Sequence, residues 1–356
     1  MNEQRLQQLV DAEVAGQSPS CILRVENPLT KFVWQGAAGT ISRSDATTVS
    51  PTESFRIASV TKTFTAAVVM QLVCEGRLRL DDLMISHLDG SMAGLVDAMH
   101  VFKGRSYGRE ITVRQLLRHS SGLFDYASAS EFFALLSSNP SKVWTPRELV
   151  EIAVTAGSPS FAPDQGYGYA YSDTGYVLLG LVIEQLDQRP LHESYRQRIL
   201  MPLELNETYL EGYEEHRGPR LTHAYEGDLD AMAIHGSADW AGGGLVSTAV
   251  DLATFVAALV RGDVVDRSAL GEMFSYDFRT LDPERHTLGY VGYGLGVDAR
   301  QSNGLELRGH RGHWGVLMHI EPSSGLVITG TINQASYRPD ALMHGVTEMA
   351  STQGRQ

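Results

Sequence analysis

Ser59 and Lys62 are the two residues of this sequence whose types and spacing best suit nucleophilic chemistry. Residues three positions apart share one face of a helix, so the Lys62 amine would lie one turn beyond the Ser59 hydroxyl. An apolar environment favours the neutral amine, which can take the proton of a serine hydroxyl. The pair therefore predicts a serine nucleophile beside a lysine. The alternative is a serine that caps a helix, followed by a lysine that reaches solvent.

The helix that would hold this pair is predicted over residues 59–75. It is apolar on nearly every side, which is typical of a helix in the centre of a protein. Gly76 follows it, where a glycine relieves the left-handed turn that ends a helix. Ser59 would then lie near a helix N-terminus, where unpaired N–H groups and the helix dipole favour a developing negative charge.

Further helices are predicted in the middle of the chain. Thr112 and Thr145 each begin a capping box, because a glutamine and a glutamate follow them by three residues. A longer helix is predicted over 174–186, and another begins at Ser247 as its N-cap and runs to about 259. An N-terminal helix is predicted over 6–15.

Short apolar runs at both ends of the chain predict strands. They are 21–25, 31–35, 293–297, 305–308, 316–320 and 326–332. Strands at both ends with helices between them predict an α/β (α+β) fold, in which an antiparallel sheet built from both chain ends is flanked by helices. We place the sheet domain at 1–80 and 245–356 and an inserted, mostly helical domain at 81–244. A cleft is expected where the two domains meet.

Two later segments extend the serine–lysine pair into an ordered set of motifs. Tyr171-Ser172-Asp173 precedes a predicted helix, and His310-Arg311-Gly312 lies on or beside a late strand. With S-x-x-K, Y-x-[ND] and [HK]-x-G in this order, the sequence resembles the serine β-lactamase-like hydrolases. That family includes class C β-lactamases, D-alanyl-D-alanine carboxypeptidases, D-amino-acid amidases and related esterases. The segments 55–58, 116–123 and 242–248 are also similar to it, and the resemblance spans roughly residues 20–335.

The resemblance implies a role for each motif. Ser59 would be the nucleophile, and Lys62 and Tyr171 would share the general-base and general-acid work around it. The backbone N–H groups of Ser59 and His313 would form the oxyanion hole. A Ser59 ester would form first, and water would then release the acyl group. His310 would lie next to the nucleophile and the leaving group, where many relatives have lysine.

The residues on the substrate-binding side, Asp173, His310, Arg311 and Gly312, depart in part from the usual family pattern. Asp173 replaces the commoner asparagine; a carboxylate there would keep Lys62 protonated and leave base duty to Tyr171, bind a substrate ammonium, or cap a helix. Arg311 is larger than the usual threonine or serine and would bind a substrate carboxylate, unless it faces solvent. His313 replaces a small residue, which argues against a penicillin-binding pocket.

Other patterns are interpreted as structural or coincidental. Residues 104–108 match G-x-S-x-G around Ser106, but their charged, loop-like flanks do not fit the strand–turn–helix which that motif requires. His310 and His313 would face opposite sides of a strand, so we expect no metal site, and the resemblance implies no cofactor. His119 is interpreted as the anchor of a turn through hydrogen bonds.

Composition limits the partners. The chain has 356 residues, of which 43% are hydrophobic and 20% charged, as in a packed globular protein. Its formal net charge of −13 argues against a nucleic-acid partner. No apolar run is long enough to span a membrane, and the N-terminus has no apolar leader, so we expect a cytoplasmic protein.

These observations predict a serine hydrolase that cleaves an amide or peptide bond of a small molecule or short peptide. Among the proteins that the sequence resembles, the amidase-like members have H-x-G as the third motif, so the resemblance favours an amidase or peptidase and allows substrates that contain D-amino acids. A carboxylesterase or an acyltransferase on the same fold is the alternative, and a non-catalytic scaffold or binding protein is a third. The oligomeric state is left open.

Overall fold

The largest sheet of the protein is built from both ends of the chain. The computed structural model describes residues 1–353 apart from 17, 164–167, 222, 227–228, 277–288 and 336–338. The strands are β1 (Ser20–Asn27), β2 (Phe32–Gly39), β3 (Phe55–Arg56), β4 (Val101–Phe102), β5 (Arg105–Ser106), β6 (Tyr209–Leu210), β7 (Tyr225–Glu226), β8 (Leu229–Asp230), β9 (Leu245–Ser247), β10 (Tyr290–Tyr293), β11 (Asp298–Ser302), β12 (Leu305–Gly312), β13 (Val316–Glu321) and β14 (Leu326–Thr331). The seven-stranded sheet has the order β10-β11-β12-β13-β14-β1-β2.

Every neighbouring pair of strands in this sheet is antiparallel. The first strand of the chain pairs with the last, with Ile22 opposite Thr331, and this pairing joins the two chain ends. The predicted fold class, an α/β (α+β) protein with an antiparallel sheet flanked by helices, is therefore confirmed. The predicted domain limits stay a prediction.

Helices cover the sheet and fill the middle of the chain. They are α1 (Glu3–Gly16), α2 (Thr61–Cys74), α3 (Ala93–Met99), α4 (Val113–Leu117), α5 (Ser130–Ser138), α6 (Pro146–Ala156), α7 (Asp173–Asp187), α8 (Leu191–Tyr195), α9 (Trp240–Gly243), α10 (Ala249–Arg261), α11 (Arg267–Phe274) and α12 (Asp340–Gln353). Both predicted capping boxes are present, at Thr112 before α4 and at Thr145 before α6. No helix in the described parts of the chain has the length and apolar character that crossing a membrane requires.

The two faces of the sheet belong to two different cores. Leu23 of β1 packs in a cluster with residues of α1 and α12, whereas its neighbour Ile22 belongs to the larger cluster around α2 and α10. Successive side chains of a strand point to opposite faces, so β1 contributes to both cores. The burial of β1 on both faces follows from this alternation.

Helix α2 lies in the larger core. Its side chains from Thr61 to Met70, and Leu72, are buried, which confirms the helix predicted to be apolar on nearly every side. The ring of Phe64 stacks on Phe255 of α10, with the ring centroids 3.7 Å apart. This packing fixes the helix that follows Ser59 against the layer of helices next to the sheet.

Three local predictions were wrong. Only Tyr293 of the segment 293–297 lies in a strand, and 294–297 form the turn between β10 and β11; Gly296 has a φ of +72°, and a Cβ there would lie 2.4 Å from the Cβ of Ala66. Thr248, not Ser247, caps α10, because Ser247 lies in β9 and its hydroxyl contacts Thr208 at 2.8 Å. Helix α2 begins at Thr61, and Ser59 lies in the 3-10 turn just before it.

Candidate active site

Ser59 is held in a strained turn that is tied to a neighbouring strand. The turn is Ala58–Val60, and Ala58 has a φ of +45°, a conformation that costs a residue other than glycine on the order of 1–3 kcal/mol. The N–H of Ile57 donates to the carbonyl of Leu245 at 3.0 Å, and the N–H of Leu245 donates to the Thr61 hydroxyl at 3.1 Å. Strand β9 therefore holds the turn on both sides of Ser59.

Lys62 lies directly beneath the Ser59 hydroxyl. Its side chain is completely buried, and its Nζ lies 2.9 Å from the Oγ of Ser59 and 2.8 Å from the carbonyl oxygen of Gly242. Its third partner is the carboxylate of Asp173. A lysine ammonium has three N–H donors, and three acceptors surround this one. This environment therefore matches the charged form of the side chain.

Tyr171 approaches the same point from the segment before α7. Its ring centroid lies 4.8 Å from the Lys62 Nζ, and its hydroxyl is hydrogen-bonded to Ser59. Burial, followed by the charge of Asp173, raises the pKa of Tyr171 well above its ordinary value, although the hydrogen bond with Ser59 acts in the opposite direction. The structure thus brings the serine, the lysine and the phenol of the first two motifs together.

Asp173 does not act as a helix N-cap. Ser172 occupies the N-cap position of α7 and Asp173 is the first helical residue, whose carboxylate turns to Lys62 instead. The attraction of a buried ammonium explains this choice. Little space remains between the Asp173 carboxylate and Gly242, because a Cβ at Gly242 would lie 2.8 Å from an Asp173 carboxylate oxygen.

His310 of the third motif is a neutral imidazole, and both of its ring nitrogens form hydrogen bonds. Burial, only partly offset by the charge of Asp298, lowers the pKa of His310 to about 4. Its Nδ1 lies 2.7 Å from the carbonyl oxygen of Arg311, and its Nε2 lies 2.9 Å from the hydroxyl of Tyr293. The Nδ1 therefore carries the proton and donates it, and the Nε2 accepts from Tyr293. In this state the ring differs from the charged lysine that many relatives have here.

Arg311 and Gly312 follow on the same strand, β12. Arg311 is not a solvent-facing residue: its side chain is 14% exposed and forms an ion pair with Asp340 of α12. A Cβ at Gly312 would lie only 2.3 Å from the carbonyl oxygen of Ile57. Glycine at this position therefore lets β12 pass close to the turn that holds Ser59.

His313 follows β12 at the rim of the site. Its side chain is about half exposed, and its Nε2 lies 3.6 Å from a carboxylate oxygen of Glu226. Like Ser59, His313 lines both cavities described next. Among the described residues, no group of three or more histidine, cysteine, aspartate or glutamate side chains is arranged to hold a metal ion.

Two cavities meet at Ser59, and Tyr171 and His313 also line both of them. The first, of about 340 Å³, we call the aromatic cavity; it is also lined by Tyr169, Tyr290, Tyr293, Arg300, His310 and Arg311. The second, of about 300 Å³, we call the acidic cavity; it is also lined by Asp125, Asp173, Asp239, Phe132, Phe133 and Ile234. Both cavities give access to the Ser59 hydroxyl.

Asp125 and Asp239 were not among the residues that the sequence analysis selected. Asp125 follows the segment 116–123, and Asp239 directly precedes α9 and the glycines at 242–244. Burial and the nearby Asp173 raise the pKa of Asp125 to about 7, and the same two causes raise the pKa of Asp239. Their positions just beside stretches that resemble the family were the signal available in the sequence.

The fold and this site together define a protein of the serine hydrolase type with the β-lactamase fold. A model of the family described as Beta-lactamase matches residues 30–347, which is most of the chain. The chain belongs to this family. The predicted resemblance to serine β-lactamase-like hydrolases is confirmed.

Individual proteins are also similar to the chain. Penicillin-binding protein 4* of Bacillus subtilis (strain 168) is 32% identical over 155 residues, which cover 43% of this chain and 30% of that protein. The match therefore spans less than a third of that relative's length.

Two solved structures match over nearly their whole length. The D-stereospecific amidohydrolase from Streptomyces sp. is 30% identical, has a TM-score of 0.82, and matches over 96% of this chain and 98% of its own. The D-amino acid amidase from Ochrobactrum anthropi SV3, complexed with L-phenylalanine, has a TM-score of 0.84 at 23% identity and full coverage of both chains. At 23% identity, the likeness to the D-amino acid amidase shows only that the two proteins share a fold.

Proposed function

We propose that this protein hydrolyses an amide or peptide bond of a small substrate that contains a D-amino acid, through an acyl-enzyme on Ser59. The observation that carries the proposal is the 2.9 Å hydrogen bond between the Nζ of the fully buried Lys62 and the Oγ of Ser59. A buried charge is costly, so it persists only where it is paired and hydrogen-bonded. Here it is paired beside Ser59, which lines both cavities.

In the proposed mechanism, Lys62 stays an ammonium and Tyr171 moves the proton. As Ser59 Oγ bonds to the substrate carbonyl carbon, its proton passes to Tyr171 in the phenolate form. Because the pKa of Tyr171 is raised, this form is a small fraction at neutral pH and increases as the pH rises. The carbonyl electron pair moves to the oxygen, which the backbone N–H groups of Ser59 and His313 stabilise. The carbon–nitrogen bond then breaks, and Tyr171 returns its proton to the leaving nitrogen. Water then gives a proton to Tyr171 and attacks the acyl carbon. The bond between this carbon and Ser59 Oγ breaks, and Tyr171 returns the proton to Ser59.

The third motif lines the aromatic cavity, and its polar side chains suit a polar leaving group. Burial and the charge of Arg300 lower the pKa of Arg311 to about 10, which leaves the guanidinium charged at neutral pH. Arg300 itself is held by Asp298, with the Arg300 Nε 2.8 Å from a carboxylate oxygen. We propose that Arg311, Gly312 and the neutral His310 border the departing part of the substrate, as the sequence motifs suggested.

The similarity to the D-stereospecific amidohydrolase supports the choice of an amide substrate with D configuration. It extends over almost all of both chains, unlike the match to the penicillin-binding protein. Ester hydrolysis and acyl transfer use the same residues, so the assay must compare them directly.

Intact-protein mass spectrometry after treatment with a fluorophosphonate tests the nucleophile. Wild-type protein and the Ser106→Ala variant should each gain one label, because Ser106 lies exposed in a hairpin and its hydroxyl donates to the Asp97 carbonyl. Ser59→Ala should gain none and should lose turnover. Labelling of Ser59→Ala with loss of labelling in Ser106→Ala would assign the nucleophile to the G-x-S-x-G segment instead.

The substrate is tested with D- and L-phenylalaninamide and p-nitrophenyl acetate, each with and without an amine acceptor. We expect hydrolysis of the D-amide in preference to the L-amide. Turnover of the ester without either amide would make the protein an esterase. A product that contains the added amine in place of the free acid would make it an acyltransferase.

A further inference from the structure

Two of the aspartates that line the acidic cavity form no ion pair with a described residue. Of its three aspartates, only Asp173 has an ion-pair partner among the described residues, namely Lys62. The guanidinium of Arg56 also borders this cavity, but it forms an ion pair with Glu211, with the Nε 2.6 Å from a carboxylate oxygen. The other cationic candidate, His313, is at the rim and lies near Glu226.

Asp239 is the least satisfied of these groups. It directly precedes α9, yet its side chain makes no capping hydrogen bond, and no described residue forms an ion pair with its carboxylate. Its position is nevertheless fixed, because its carbonyl oxygen accepts the N–H groups of Gly242 and Gly243, each at 3.0 Å. These two hydrogen bonds fix the backbone of Asp239 and leave its carboxylate oxygens uninvolved.

Asp125 is also fixed from one side. Its Oδ1 accepts the N–H of Asp173 at 3.0 Å and the N–H of Ala127 at 3.1 Å. These two hydrogen bonds fix the orientation of the Asp125 carboxylate, and no described cation is within ion-pair distance of it. The two unneutralised carboxylates thus line the same cavity as the Ser59 hydroxyl.

The remaining wall of this cavity is apolar. Phe132 and Leu136 of α5 are nearly buried, whereas Phe133 next to them is 51% exposed, a large exposed fraction for an aromatic side chain. Ile234 lies on the same wall. The cavity thus combines a wall for an apolar group with two carboxylates that form no ion pair with a described residue.

We propose that Asp239 and Asp125 select substrates which carry an ammonium group close to the carbonyl that Ser59 attacks, beside an apolar side chain. This inference rests on the proposed function and specifies the substrate class: amides or short peptides whose acyl part has a free amino group. A cation in the cavity would compensate both carboxylates, and burial strengthens such pairing because the surroundings are less polar than water.

The electrostatics of the empty cavity agree with this assignment. Burial and Asp173 raise the pKa of both Asp125 and Asp239, because each further negative charge in the cavity is unfavourable. The charge of Lys62 offsets this rise only in part for both groups, and Arg56 and His313 add to the offset for Asp239. A bound ammonium would have the opposite effect and favour the ionised carboxylates. Binding of a cationic substrate near pH 7 should therefore release protons.

The experiment compares D-phenylalaninamide with 3-phenylpropanamide, which has the same apolar group and amide but no amine. In wild-type protein we expect kcat/KM to be about 10- to 100-fold higher for the amine. Asp239→Asn should reduce this ratio at least tenfold with little change for 3-phenylpropanamide. Asp263→Asn, which removes an exposed carboxylate that pairs with Arg261, is the matched control and should keep the ratio.

Calorimetric binding to Ser59→Ala makes the test independent of turnover. D-phenylalaninamide should bind more tightly than 3-phenylpropanamide and should release protons at pH 7, measured in buffers of different ionisation enthalpy. Adding Asp239→Asn to Ser59→Ala should reduce the preference for the amine, and adding Asp125→Asn as well should remove both the preference and the proton release. Equal binding of the two amides, without proton release, would overturn the proposal.

The failure of this inference is distinguishable from failure of the proposed function. Fluorophosphonate labelling and p-nitrophenyl acetate turnover need Ser59 but no ammonium. If both depend on Ser59 while the amine gives no preference, the selection by Asp239 and Asp125 is wrong and the hydrolase assignment stands. If Ser59 is not labelled but calorimetry shows the amine preference, the binding assignment stands and the chemistry is wrong.

Discussion

His119 holds the chain on both sides of Tyr171. Its carbonyl oxygen accepts the N–H of Ala170 at 2.9 Å, and its ring Nδ1 accepts the N–H of Ser172 at 3.1 Å. The rings of His119 and Tyr171 are also in contact, with their centroids 4.2 Å apart. His119 itself has a φ of +59°, in the left-handed region. The turn anchor expected from the sequence is thus a positioning residue for the tyrosine of the second motif.

Replacing His119 should impair catalysis through Tyr171. We expect His119→Ala to lower kcat about 10- to 100-fold with a small change in KM, because a displaced phenol cannot transfer the proton efficiently. His119→Asn should recover much of the loss, since asparagine tolerates a positive φ and its side-chain oxygen can accept the Ser172 N–H. Steady-state kinetics with thermal melts of both variants is the measurement. An equal loss of kcat in both variants would contradict the positioning role.

Asp173→Asn should move the pH dependence of activity. The carboxylate of Asp173 raises the pKa of Tyr171, so removing its charge lets the phenolate form at lower pH. In wild-type protein kcat/KM should rise with pH on the alkaline side, and in the variant this rise should begin at lower pH. The maximum should also fall, because Lys62 loses its ion-pair partner.

The pH–rate profiles of wild type, Asp173→Asn and Tyr171→Phe provide the check. Tyr171→Phe should have a low rate without the alkaline rise. If Tyr171→Phe keeps that rise, the proton from Ser59 goes to another group, and Lys62 is the remaining candidate of the two that the motifs suggest.

Asp125→Asn should stabilise the protein more at pH 8 than at pH 4. The pKa of Asp125 is about 7 in the folded protein against an ordinary value of 3.8, so the folded state binds the proton more tightly than the unfolded state. The stability that this group contributes is present below pH 3.8 and is lost as the pH rises through about 7. The asparagine carries no charge and avoids that loss.

Melting temperatures of wild type and Asp125→Asn between pH 4 and 8 measure this effect. The amide oxygen of the variant can still accept the N–H groups of Ala127 and Asp173. The difference in melting temperature should grow with pH. A difference that is constant over this range would mean that Asp125 titrates normally in the folded protein.

Gly312→Ala should disrupt the site without a change in polarity. An added Cβ would lie 2.3 Å from the Ile57 carbonyl oxygen, so β12 or the turn that carries Ser59 must move. A displacement of about 1 Å in a catalytic group can reduce the rate on the order of 100-fold. Gly94→Ala is the control, because an added Cβ there has no heavy atom within 4 Å and the residue lies in α3.

The measurement for these two variants combines kcat/KM with thermal stability. Gly94→Ala should keep its activity and gain up to about 1 kcal/mol of helix stability. If Gly312→Ala keeps wild-type kcat/KM, the close approach of β12 does not determine the geometry at Ser59.

Local features of the structure were predictable because local sequence periodicity determines them. The apolar run of α2, the capping boxes at Thr112 and Thr145, and the alternation in β1 each depend on neighbours within a few residues. The turn at 294–297 was mistaken for a strand because Leu295 and Val297 are apolar and buried in the larger core, as the side chains of a buried strand are.

The sequence by itself determined the family, the antiparallel sheet shared by both chain ends, and the spacing that places an amine beneath a serine. Only the tertiary structure decided that Asp173 turns to Lys62, that His310 is neutral, and that Asp125 and Asp239 lie in one cavity with Ser59. Charge and protonation depend on burial and on groups that are far apart in the chain, and no local pattern encodes those distances.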